Sequence, residues 1–207
     1  QNINEYIRNV SDCCALNGYF IGTCYDGKRV FNKLSNLDEN ESITIKDNSI
    51  KMWEIRKEYR KIVFNDDESS LGYQISVYQE SINKYLPEFL VNFTYFTRLL
   101  ENYGFRPLNK LELDKFKLPA SIGPFSLLFE KTKQDIKSGN IHNTSRLRTA
   151  MKMNHNEKEI SFLNNFFIYK KIRNVPTHSV FNSIVKHKKS KKTKFIKLKT
   201  KIKLVMQ

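Results

Sequence analysis

Between Leu86 and Tyr103 the chain reads LPEFLVNFTYFTRLLENY, with apolar side chains at Phe89, Leu90, Phe93, Phe96 and Leu100. That spacing predicts a helix whose apolar stripe covers a sheet. Pro87 suits the first helical position, where its missing N–H has no partner to lose, and Glu88 gains from the positive end of the helix dipole. Gly104 is placed to close the helix as a left-handed cap. Upstream, Ile3, Tyr6, Ile7, Val10 and Cys14 mark one face of a helix over 2–16. The run 19–24 is apolar without alternation, which predicts a strand buried on both faces as in a parallel sheet. Asp26-Gly27 turns the chain into a second helix over 28–34.

The pattern then changes. Residues 42–46 alternate and Asp47-Asn48 can turn, so 42–64 predicts a short hairpin followed by an irregular or strand segment. In the next strand, 71–78, Tyr73, Ile75 and Val77 fall on one face. A strand is expected near 105–111 and a short helix at 125–129, and 154–159 reads as a loop or capped turn. The strongest late strand candidate is ISFLNNFFIYKKI, 160–172. After Pro176 the pattern dissolves. Helix, turn, strand, loop and helix in succession is one repeat of an α/β sheet fold.

The 207 residues are 40% hydrophobic and 28% charged, ordinary values for a globular protein with one sizeable core. No apolar run reaches the ~18 residues of a membrane span. No signal peptide is visible, and the opening Gln1 suggests a fragment of a longer polypeptide. Cys13, Cys14 and Cys24 lie without His at ligand spacing and read as free thiols in a reducing compartment. The net charge of +15 is concentrated at one end: residues 186–207 hold ten Lys and no acid, leaving 26 basic against 21 acidic residues elsewhere. Lys188, Lys189, Lys191 and Lys192 form the densest part of this tail. Such a tail can neutralise phosphates in a salt-sensitive, sequence-blind way. The bland alternative is a solvated end that binds any polyanion. His142, His155, His178 and His187 sit in no recognisable catalytic setting.

Gly18-Tyr-Phe-Ile-Gly-Thr23, then Leu86-Pro-Glu-Phe-Leu-Val91, then Phe166-Phe-Ile-Tyr-Lys-Lys171, in this order, resembles the mRNA cap guanine-N7 methyltransferases. With Met52-Trp-Glu-Ile-Arg-Lys57, Gly72-Tyr-Gln-Ile-Ser-Val-Tyr78 and Glu159-Ile-Ser-Phe-Leu-Asn164, the likeness is closest to capping enzymes of large cytoplasmic DNA viruses. The resemblance covers about residues 3–175. It implies the carboxyl half of a Rossmann-like class I methyltransferase sheet over 1–175, followed by a disordered or irregular lysine-rich tail over 176–207. Family members hold S-adenosylmethionine on an acidic, Gly-rich loop after the first strand, and no such fingerprint stands in this sequence. The chain is therefore expected to supply the guanine side of the site and to be inactive alone. Capped RNA is the implied partner. Triphosphatase and guanylyltransferase domains earlier in the same polypeptide, a stimulatory subunit and a cytoplasmic location follow from the same resemblance.

Guanine N7 carries its own lone pair, so methyl transfer needs placement and no general base. Binding residues are expected, and no catalytic nucleophile or acid/base pair. Glu88 matches the family's Pro-Glu glutamate, which is implied to accept from the guanine N1–H and N2–H2 edge; otherwise it is a solvated helix-start carboxylate. Tyr73 lies in the strand that lines the family's cap pocket, where it either stacks on the purine or belongs to the core. Tyr25 falls on the site's rim, where cellular relatives have Pro. Asn164 stands three residues before Phe167, where cellular relatives place a cap-contacting Tyr; Asn can hydrogen-bond a base edge but cannot stack on it. The second reading is a non-catalytic basic RNA-binding module derived from a methyltransferase, and a third is a broken reading frame.

Overall fold

In the computed structural model, residues 3–141 and 144–184 are described, apart from the Arg146 side chain. The lysine-rich stretch with Lys188, Lys189, Lys191 and Lys192 lies outside them. In chain order the elements are α1 (Ile3–Cys13), β1 (Tyr19–Tyr25), α2 (Gly27–Lys33), β2 (Ser42–Asp47), β3 (Ile50–Lys57), β4 (Gln74–Gln79) and β5 (Lys84–Phe89). There follow α3 (Phe93–Asn102), β6 (Phe105–Pro107), α4 (Lys110–Phe116), β7 (Ile122–Pro124), α5 (Phe125–Lys137), α6 (Arg148–Met151), α7 (His155–Ser161) and β8 (Asn164–Lys171). Residues 177–184 are helical as well, where the sequence pattern gave no element. The fold class is α/β, as the sequence implies. One sheet has the order β1-β8-β6 with β7 paired to β8, and the other is an antiparallel meander, β2-β3-β4-β5.

The described residues divide into two compact units: those up to 20, 99–106 and those from 170 onward form one, and those within 21–98 and 107–169 form the other. In the second, the meander buries one face. Trp53, Ile55, Tyr73, Ile75 and Val77 pack with Val30 of α2 and Leu34 at its C-cap. The alternation at Tyr73, Ile75 and Val77 thus marks the core side of β4. Gly22 has no room for a side chain, because a Cβ there would stand 2.4 Å from the Phe167 ring.

In the first unit, α1 buries Asn4, Ile7 and Ser11, while Tyr6 is exposed. The buried face is rotated from the apolar stripe because Ser11 is satisfied internally: its hydroxyl donates to the Tyr103 carbonyl at 3.0 Å. Lys171, 5% exposed, donates its ammonium to the carbonyls of Ser11 and Cys14 at the end of α1. A cation there satisfies acceptors that the helix leaves open. Thr177 donates to Asp12 and the Arg8 guanidinium lies 5.2 Å from the Phe181 ring centre, which ties residues 177–184 to α1.

Two expectations are corrected. β1 is an end strand of its sheet and alternates, with Tyr19 and Ile21 exposed, so it is not buried on both faces. The helix expected from Pro87 starts six residues later. Lys84–Phe89 is instead the edge strand of the meander. Leu90 N–H donates to the Tyr73 carbonyl, so alternation along the ladder makes Ile75–Glu88 and Val77–Leu86 the bonded pairs. Pro87, opposite Ser76, falls between them with its nitrogen turned away from β4. An edge strand tolerates proline there without losing a bond. The start of α3 is set by Asn92, whose side-chain oxygen accepts from Tyr95 N–H and whose amide donates to Asn65 O and Asp66. Gly104 takes the left-handed conformation, φ +89, that the sequence predicts for it.

Candidate functional site

The end of β1, the end of β4, the inner face of β5 and the start of β8 surround a cavity of about 260 Å³. Period-2 alternation explains what reaches it. On β5, Leu86 and Glu88 share the face opposite Val77 and Ile75, whereas Tyr85, Pro87 and Phe89 point to the other side. Glu88, Tyr25 and Asn164 therefore meet in one cavity although they lie far apart in sequence.

Among the described residues, Glu88 is the one charged residue lining it. Its carboxyl is exposed to the cavity, yet partial burial raises its pKa above 4.5. Tyr25 is 7% exposed, and its hydroxyl accepts from the Gln79 side-chain amide at 3.3 Å. A second side-chain hydrogen bond links Tyr25 to Asn164. The Asn164 amide nitrogen is held by the carbonyls of Ile160 and Ser161 at the end of α7, at 3.4 and 3.3 Å. Burial, partly offset by the Gln79 bond, raises the Tyr25 pKa, so the group remains a neutral phenol. Burial also pushes the Cys24 thiol up to about 12, with Glu88 and Asp26 adding to the effect, so Cys24 is no thiolate nucleophile at neutral pH.

Tyr73 does not belong to the cavity, which corrects its expected stacking role. It is 1% exposed, and its hydroxyl donates to the Val63 carbonyl. The rings of Tyr59 and Phe64 lie edge-on at 4.9 and 5.0 Å and the Lys61 ammonium stands 4.6 Å from the ring centre. No ring face is left for a base. Phe167 likewise packs among Phe93, Phe96 and Tyr169. Gln79 was not anticipated. The signal was present, since the alternation that carries Tyr73, Ile75 and Val77 inward continues to Gln79.

The arrangement suits a flat, polar ring with N–H donors on one edge. A single carboxylate faces fixed amide and phenol groups, and among the described residues no lysine or arginine lines the cavity to draw phosphate into it. Among the described residues, no group of His, Cys, Asp and Glu could hold a metal ion, and no helix is long and apolar enough to cross a membrane.

A comparison with curated proteins finds no match. Among solved structures, a S-adenosylmethionine-dependent methyltransferase from Clostridium acetobutylicum ATCC 824 is similar at 17% identity and a TM-score of 0.30. The match covers 52% of this chain and 41% of that one, and at such a score it carries no argument. The family model described as the mRNA (guanine-N(7))-methyltransferase domain matches residues 1–172. With most of its length matched, the chain belongs to the mRNA (guanine-N7) methyltransferase domain family.

Proposed function

We propose that this chain provides the guanine-binding half of an mRNA cap (guanine-N7) methyltransferase. The observation that carries the proposal is the convergence of Glu88, Tyr25 and Asn164, from three separate strands, on one cavity. Glu88 accepts hydrogen bonds from guanine N1–H and N2–H2 and favours the positive charge that develops as N7 is methylated. Tyr25, clamped by Gln79 and Asn164, gives the base a wall that does not rotate. Holding the base still is what the reaction asks of these residues, because N7 has no proton to remove.

S-adenosylmethionine supplies the methyl group in the intact enzyme. The acidic Gly-rich loop that holds it in the family has no counterpart in these 207 residues, so they act on the guanine side alone. Capped RNA is the substrate on this reading. The class I methyltransferase sheet, the likeness to viral capping enzymes, the upstream triphosphatase and guanylyltransferase domains, and a stimulatory subunit belong to the same proposal. Equilibrium binding of GTP against ATP at high salt tests it. A guanine preference that vanishes in Glu88→Gln supports the assignment. Equal affinities, or a preference untouched by the substitution, would remove Glu88 from the site.

A further inference from the structure

The cavity around Glu88 adjoins a second one of about 430 Å³, and the two share Thr23, Gln79 and Asn164 as a common rim. The second lobe belongs to no residue role assigned so far. Its apolar wall includes Met52, Phe125, Met153 and Ile160, and the charged groups lining it, Glu80 and Glu157, are both carboxylates. One Glu157 oxygen accepts the Asn154 N–H at 2.7 Å, which fixes that carboxylate on the wall. Two carboxylates, with no cation among the described residues of the wall, repel phosphate. Thioether, phenyl and aliphatic surfaces favour an uncharged flat ring, and a carboxylate at the ring's edge accepts from exocyclic amino groups.

We infer that this lobe takes the base of the nucleotide next to the cap guanosine. A ligand that fills both lobes must have two flat rings joined by a flexible linker that can stay over the shared rim, outside both cavities. Two nucleosides joined 5′ to 5′ through a triphosphate meet that description. The phosphates stay in solvent, where neither lobe's carboxylates oppose them. The inference rests on the guanine reading of the first lobe and adds a second subsite to it. An amino-bearing base, adenine above all, fits the carboxylate-lined wall better than uracil.

Trp53 makes the inference directly testable. It is the only tryptophan in the chain, it lines the second lobe and not the first, and its indole donates to the Asn156 carbonyl at 3.0 Å. The experiment titrates the full chain at high salt with GTP and with the guanosine-triphosphate-adenosine dinucleotide, following heat and Trp53 fluorescence together. The dinucleotide is expected to bind roughly tenfold more tightly than GTP, the effect of one base laid on an apolar wall. It should also change Trp53 emission where GTP does not. Thr149→Phe, at an exposed position lining only this lobe, fills the space and should bring the dinucleotide down to the affinity of GTP, with GTP binding unchanged. GTP binding with no gain for the dinucleotide, or a gain that survives Thr149→Phe, would overturn the second subsite alone. Binding of neither nucleotide would overturn the guanine reading and the subsite with it.

Discussion

In the proposed guanine site, Glu88 serves the ligand at some cost to the fold. Burial raises its pKa, so folding favours the protonated form. The stability linked to that proton is fully present below the unfolded value near 4.5 and is lost as pH rises through the higher folded value. Gln imitates the protonated state. Glu88→Gln is therefore expected to melt at neutral pH no lower than the parent while losing roughly 10- to 100-fold in guanine affinity, the worth of a charged hydrogen bond. A thermal melt and a nucleotide titration read the two effects separately. Tyr73→Phe gives the opposite pair: about 1 kcal/mol of stability lost with the Val63 bond, and guanine affinity unchanged. The sequence made Glu88, Tyr25 and Asn164 legible as candidates through motif order. It could not decide Tyr73, because alternation tells which residues share a face and not what covers that face. Here Tyr59 and Phe64 cover it.

At the scale of elements, periodicity was enough for α2, for the β2–β3 hairpin and for the core face of β4. It failed where two patterns coincide. Pro-Glu before an apolar run is a helix start by composition, yet the same residues form an edge strand whose ladder has no need of the proline nitrogen. Hydrogen exchange separates the two. Amides of Leu86, Glu88 and Leu90, bonded to β4, should be protected, while those of Tyr85 and Phe89 exchange quickly. A helix beginning at Pro87 would instead leave the Leu86 and Glu88 amides, at its N-terminus, open to exchange. Asn92→Ala removes the actual cap of α3 and should cost roughly 1–2 kcal/mol in denaturant unfolding. The helices α4 and α7 were hard to read for a different reason. At seven residues each they carry too short an apolar stripe, and capping boxes from Asn109 to Glu112 and from Asn154 to Glu157 define their starts.

For the whole molecule, the meander brings its own sensitivity to acid. Glu54 is nearly buried in the sheet, and that burial opposes its charge. Hydrogen bonds from Tyr85, Lys51 and Ser42 outweigh it and lower the pKa from 4.5 to about 2. Stability from this lowered value is present above 4.5 and is lost as pH falls through about 2, about 3 kcal/mol in all. Glu54→Gln should flatten that part of the acid-unfolding curve and lower stability at neutral pH. The α/β class was legible from the succession of helices and strands, whereas the division into two units was not, because it cuts across β1, α3 and β8 themselves. The net charge of +15 complicates any RNA experiment, since ten of the lysines lie in residues 186–207 and a run of lysines attracts phosphate whether or not a cap is present. The most direct test of the central claim is therefore binding of capped against uncapped short RNA at low and at high salt. A cap preference that persists at high salt and disappears in Glu88→Gln is the predicted result. Equal binding of the two RNAs that collapses as salt rises would contradict the guanine site and leave the basic tail as the whole of the interaction.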